Sequence, residues 1–167
     1  MAGSFITISV EDAAARAMLN RVGQMDTAPL MERLGERIQA WTQDRFDANQ
    51  QKAPDGTPWA KLNADYAQSK PQHLQNRKLT LSAHLRRSIR WQLLDSRSVE
   101  VGTNVPYAAI HQFGGTIRPK KGKALSFGGR LVRSVTIPAR PYFGISAQDN
   151  KEIQEIIKDW VLEQEGG

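Results

Sequence analysis

The chain of 167 residues is the size of one domain with a substantial core, and 40% hydrophobic against 24% charged residues is the balance of a soluble globular protein. No apolar run approaches the roughly 20 residues that span a bilayer, and zero cysteines remove disulfides, thiolate catalysis and cysteine-ligated zinc together. The net charge of +6 is unevenly placed: residues 1–60 carry 6 basic and 8 acidic side chains, residues 61–140 carry 15 and 3, and residues 141–167 carry 2 and 6.

The stretch MAGSFITISVEDAAARAM lacks a basic leader and a sustained apolar segment, so the chain is expected to stay where it is made. Phe5 to Val10 alternates apolar and polar residues with β-branched enrichment and predicts a short strand. From Glu11 the pattern turns helical, with Ala14, Ala17, Met18 and Val22 on one side and Gly23 as the stop. A second helix is predicted from near Thr27, its cap, to about Ala48, with Pro29 in the first turn and Leu30, Leu34, Ile38 and Trp41 at helical spacing. The apolar period then vanishes over 49–77. There PDGTPW, residues 54–59, supplies a tight turn, and Trp59 is expected to anchor the loop on the core.

Residues 78–89, KLTLSAHLRRSI, read as a short helix leading into a strand, and Ser88–Leu94 and Ser98–Thr103 flank Asp95, Ser96 and Arg97 as a hairpin. Residues 116–137 predict a protruding β-arm whose basic, glycine-containing middle forms its tip. Asp149 and Glu152 have capping-box spacing before a last helix striped by Ile153, Ile156, Ile157, Trp160 and Val161. The fold class is therefore α+β: N-terminal helices and a C-terminal helix packed on a small antiparallel sheet, with a basic β-arm.

Chemistry finds few hands in this sequence. His111 lies in VPYAAIHQFGG, residues 105–115, without a local serine or carboxylate partner, and reads as a histidine bonding nearby backbone while its aromatic neighbours pack. His73, His84 and His111 show no metal-ligand spacing, the basic middle offers only Asp65, Asp95 and Glu100 as carboxylates, and no glycine-rich nucleotide loop is present. No catalytic residue, metal or cofactor is expected. Arg118, Lys120, Lys121 and Lys123 can follow a phosphate backbone or meet an acidic partner, and Arg86, Arg87 and Arg90 read as a solvent-facing side of a helix. The basic middle could likewise meet the acidic C-terminal helix of a neighbouring copy.

Four stretches, PDGTPWAKL at 54–62, LTLSAHLRRSI at 79–89, VEVGTNVPYAAIHQFGG at 99–115 and IPARPYFGIS at 137–146, together resemble the phage virion morphogenesis family, the tail-completion proteins of Mu-like and related tailed phages. The likeness runs from about residue 3 to 161, and YAAIHQFGG with IPARPYFG is its specific part. The resemblance implies a single tail-completion domain over 1–167 and a non-enzymatic virion protein of the phage neck. Such a protein would assemble as a ring, hexameric by analogy with six-fold tails, and touch tail-tube and head-connector proteins in the virion. Tyr107, His111, Gln112, Phe113 and Arg140 are then the expected subunit or partner interface, with non-specific DNA contact through the arm and no membrane. The alternative is a nucleic-acid-binding packaging accessory that uses the arm.

Overall fold

In the computed structural model, which describes residues 4–6, 26–120, 122, 124–127 and 130–165, the apolar spacing at Leu30, Leu34, Ile38 and Trp41 produces helix α1, Ala28–Asp44. All four residues are buried, and each removes apolar area worth about 1.5–3 kcal/mol from water. Thr27 does not cap this helix with its side chain. Its hydroxyl donates instead to Ser96 O, and the Asp26 carboxylate accepts from Ala28 N at 3.0 Å. The helix ends short of Ala48, where Phe46 N turns to Gln43 O at 3.1 Å and Asp47 N to Asp44 O at 2.9 Å, tighter turns than the α-helical ones before them.

Helix α1 lies across a three-stranded antiparallel sheet in the order β1 (Ser4–Ile6), β3 (Ser98–Thr103), β2 (Arg90–Asp95). β2 and β3 are the predicted hairpin, with an irregularity between Leu93 and Asp95. Gly35 permits the close approach, since a Cβ there would stand 2.7 Å from a Val99 methyl carbon and 2.9 Å from the Trp91 ring. Of the strand expected at Phe5–Val10 the described residues include Phe5 and Ile6, both in β1; its remaining residues and the helix expected at 11–23 lie outside them.

The segment 49–77 is more structured than its polarity suggested. It contains helix α2, Ala64–Ser69, capped by Asn63 Oδ1 accepting from Asp65 N and Tyr66 N, and a 3₁₀ turn at Gln72–Leu74. α2 buries none of its own residues, so no apolar stripe could announce it. Helix α3, His84–Ser88, leads into β2 as expected, and helix α4, Ala108–Phe113, fills the VPYAAIHQFGG stretch.

The arm carries two short ladders. β4 (Gly115–Ile117) pairs β7 (Val135–Ile137) at its base, and β5 (Leu125–Phe127) pairs β6 (Arg130–Val132) further out. Residues 118–124 intervene on the outgoing side against only 133 and 134 on the return. Arg118 and Lys120 therefore lie between the two ladders and not beyond the outer one, where Phe127 pairs with Arg130.

The last helix, α5, Ala147–Glu165, packs on α1 and buries Ile153, Ile157, Trp160 and Val161. Its capping box lies one turn earlier than expected: Asp149 N donates to Ser146 Oγ at 3.0 Å and Ser146 N to Asp149 Oδ2 at 2.8 Å. Glu152 is turned outward to Arg37, at 2.7 Å.

Candidate functional site

Gln112 and Arg140 organise the region where the sequence placed its site. The Gln112 side chain is buried, and its Oε1 accepts from Tyr142 N at 2.9 Å and Phe143 N at 3.0 Å while its Nε2 donates to Phe143 O at 3.2 Å. Tyr142 OH donates to Ala108 O at 3.1 Å, and Arg140 N donates to His111 O at 2.7 Å. α4 and the 140–143 segment are thus held together by both side-chain and main-chain bonds. Burial pushes the Tyr142 phenol well above its ordinary value, with Tyr107 adding to the shift.

The same segment receives the long loop. Trp59 Nε1 donates to Pro141 O at 2.7 Å and its ring meets Phe46 edge-on at 5.4 Å, so Trp59 is the anchor expected of it. Arg140, only 5% exposed, donates from Nε to Ala60 O and from Nη2 to Lys61 O, both at 3.0 Å. Below it, Arg45 donates to Tyr142 O at 2.7 Å, to Gly144 O at 2.9 Å and to Asp149 Oδ2 at 2.5 Å, which ties the end of α1 and the start of α5 to the same strip of chain. Three of the distinctive stretches, 54–62, 105–115 and 137–146, therefore form one clasp.

The fourth stretch closes a groove beside that clasp. A space of about 500 Å³ opens between α2, the turn at 79–82, α4 and the base of the arm. Tyr107 and Ile117, both partly exposed, line it with Leu81 and Val135, while Lys70, Thr80, His111 and Arg140 supply its polar wall. Leu79 and Ala83 bracket that wall in left-handed backbone, at φ 58° and 53°. No aspartate or glutamate lines the groove among the described residues.

Its cations are poorly compensated. Burial, then Arg77 and Arg140, pushes the Lys70 ammonium below its ordinary value; outside the lining, burial, then Arg140 and Lys61, does the same to Lys78. Lys70 Nζ donates to Arg77 O and lies 5.8 Å from the Tyr66 ring centre. His111 meets Tyr107 edge-on at 5.8 Å, and burial, then Arg140, lowers its basicity, so the ring is neutral near pH 7. The buried Nδ1 of His111 and Oγ1 of Thr80 have no hydrogen-bond partner.

The expected interface set therefore divides. Tyr107 and His111 line the groove and Arg140 forms its floor; Gln112 is spent inside the fold; Phe113, 65% exposed, stands outside the groove. Arg118 is exposed at the start of the arm's excursion and Lys120 is exposed within it, whereas Lys121 and Lys123 lie outside the described residues. The second basic cluster is only partly solvated, since Arg86 bonds Gln43 O and pairs with Asp47 at 3.3 Å. Sequence reasoning missed Lys70, which sits in the polar segment 49–77, and Thr80, a small polar residue between two leucines of the stretch read as a short helix. The C-terminal carboxylates are also less available than the charge count suggested: Asp149, Glu152 and Glu163 pair within the chain with Arg45, Arg37 and Arg33.

Among the described residues no group of three or more His, Cys, Asp or Glu side chains is placed to hold a metal ion, and no helix is long and apolar enough to cross a membrane. The molecule is thus a small α+β domain built around a clasp and an apolar, cationic groove. Residues 7–162 match the phage virion morphogenesis family, and the chain belongs to it. It is 32% identical over 133 residues to the Mu-like prophage FluMu G protein 2 of Haemophilus influenzae, covering 80% of this chain and 77% of that protein. It is 31% identical over 133 residues to tail completion protein S of Escherichia phage P2, covering 77% and 79%. No solved structure matches the chain.

Proposed function

We propose that this chain is a non-enzymatic structural subunit of the phage neck that completes the tail and joins it to the DNA-filled head by assembling as a ring. The observation that carries the proposal is the match to a tail completion protein over more than three quarters of both chains. Six copies suit a six-fold tail, and a heterologous interface closes into such a ring. The clasp supports this reading physically, because a turn fixed by Gln112, Tyr142 and Arg140 before contact presents Tyr107 and Phe113 at low ordering cost. Tail-tube and head-connector proteins are its partners, and host cytoplasm is the place of assembly. An epitope tag on this chain, detected by gold labelling of finished particles, should mark the head-proximal end of the tail; labels along the tail or at its distal end would refute the placement.

A second reading has its own observation, the exposed Arg118 and Lys120 on the arm's seven-residue excursion, which suit a DNA backbone passing the neck or a packaging accessory. Phosphate contacts would give a log affinity that falls linearly with log salt and a shallower slope after Arg118→Gln and Lys120→Gln. A flat salt dependence would remove this reading.

A further inference from the structure

Thr80 and Lys70 have no assigned task, and both are costly where they stand. Thr80 is 7% exposed with its hydroxyl unpartnered, and Lys70 is 5% exposed with Arg77 and Arg140 nearby as further cations. Among the described residues, Lys70, Arg77 and Arg140 take no part in the ion pairs formed by Arg33, Arg37, Arg45 and Arg86. A buried hydroxyl, a buried imidazole nitrogen and a cluster of like charges around one concave, carboxylate-free space are the complement of an anion that arrives from elsewhere.

We propose that this groove binds an acidic segment of a partner protein, an Asp or Glu carboxylate seated among Lys70, Thr80, His111 and Arg140 with its apolar neighbours against Tyr107 and Ile117. Lys70 has three donors, of which one reaches Arg77 O, and Thr80 Oγ1 and the Nδ1–H tautomer of His111 each add one. The volume of about 500 Å³ suits a few side chains, and the apolar wall suits leucine-like neighbours of the carboxylate. Duplex DNA fits poorly, because its phosphates need protruding cations and Lys70 and Arg140 are each only 5% exposed. The C-terminal helix of a second copy fits poorly too, because three of its carboxylates are already engaged by arginines of their own chain. That the partner is another virion protein rests on the assembly role above; the carboxylate chemistry does not.

The test is amide NMR of the whole chain titrated with N-acetyl-Leu-Glu-Leu-amide, its Leu-Gln-Leu counterpart, and an oligothymidylate. The glutamate peptide should shift signals at Thr80, Tyr107 and His111 at millimolar concentration. The glutamine peptide should bind about tenfold more weakly, as a charged hydrogen bond is exchanged for a neutral one. Lys70→Gln should remove most of that preference, and Thr80→Val, which keeps the shape, should weaken the glutamate peptide several-fold even if the lysine variant fails to fold. Equal binding of both peptides, no shift at these residues, or displacement of the peptide by the oligothymidylate would overturn the proposal. Tail joining reads separately: particles that join normally without the protein refute its neck role and leave the peptide result standing.

Discussion

Replacing Asp149 with alanine should be among the most damaging single changes in this chain. Its carboxylate is 8% exposed, bonds Arg45 at 2.5 Å and accepts from Ser146 N at 2.8 Å, so one side chain serves both a buried ion pair and the cap of α5. Arg45 is 7% exposed, and burial already depresses its pKa despite the opposing pull of Asp149. Leaving that guanidinium with only the Tyr142 and Gly144 carbonyls costs about 3–5 kcal/mol. The lost cap is worth about 1 kcal/mol, and the two losses overlap because the same oxygen makes both bonds. Asp149→Asn, which keeps an oxygen for Ser146 N but not the charge, should cost about 2–3 kcal/mol. In the double variant Arg45→Met, Asp149→Leu most of the loss should return, since a buried pair replaced by apolar groups is often close to neutral. Urea unfolding with an unchanged slope measures all of these. A loss below about 1 kcal/mol for Asp149→Ala, or losses for Arg45→Met alone and Asp149→Leu alone that simply add in the double variant, would refute the reasoning. Glu163→Ala breaks the half-exposed pair with Arg33 and should move the midpoint very little.

Gly114→Ala places a Cβ 2.7 Å from Ala139 N at a backbone φ of +71°, and should destabilise by about 2 kcal/mol or more and loosen the arm's base; an unchanged urea midpoint would contradict the close packing there. Trp59→Phe keeps an aromatic ring but deletes the bond to Pro141 O and leaves the space of half the indole unfilled, and should cost about 2 kcal/mol and open 49–77 to limited proteolysis ahead of the rest of the chain. His111 binds its proton less readily when folded than when unfolded, so as pH falls the unfolded chain takes up the proton first and stability declines from near the ordinary value of 6.5 downward. The drop in urea midpoint between about pH 7.5 and about pH 5.5 should shrink in His111→Asn; an identical drop would assign it to other groups.

Periodicity made α1, α5 and the β2–β3 hairpin legible, because each buries a continuous face whose spacing is written in the residues. The clasp was not legible in that way. Gln112 reads as one more polar residue beside a histidine, and only the fold brings the 142–143 main chain to its amide. Trp59 was readable because a large aromatic in a polar stretch has to bury somewhere, but its acceptor, Pro141 O, is 82 residues away. Helix α2 rests on a cap and packs no apolar stripe, and the arm's two ladders depend on a register offset that no local pattern encodes. Lys70 and Thr80 escaped notice for a related reason: a buried cation and an unpartnered hydroxyl are recognised by what fails to surround them, and sequence lists only neighbours along the chain. The four stretches that resembled the family were recognised as words; folding places them around one clasp and one groove.

The neck assignment meets its most direct test in electron microscopy of lysates from the producing phage or prophage with this gene interrupted. Filled heads accumulating apart from tails, restored to joined particles by the wild-type gene supplied in trans, is the predicted result. Joined, normal particles in the absence of the protein would contradict the assignment.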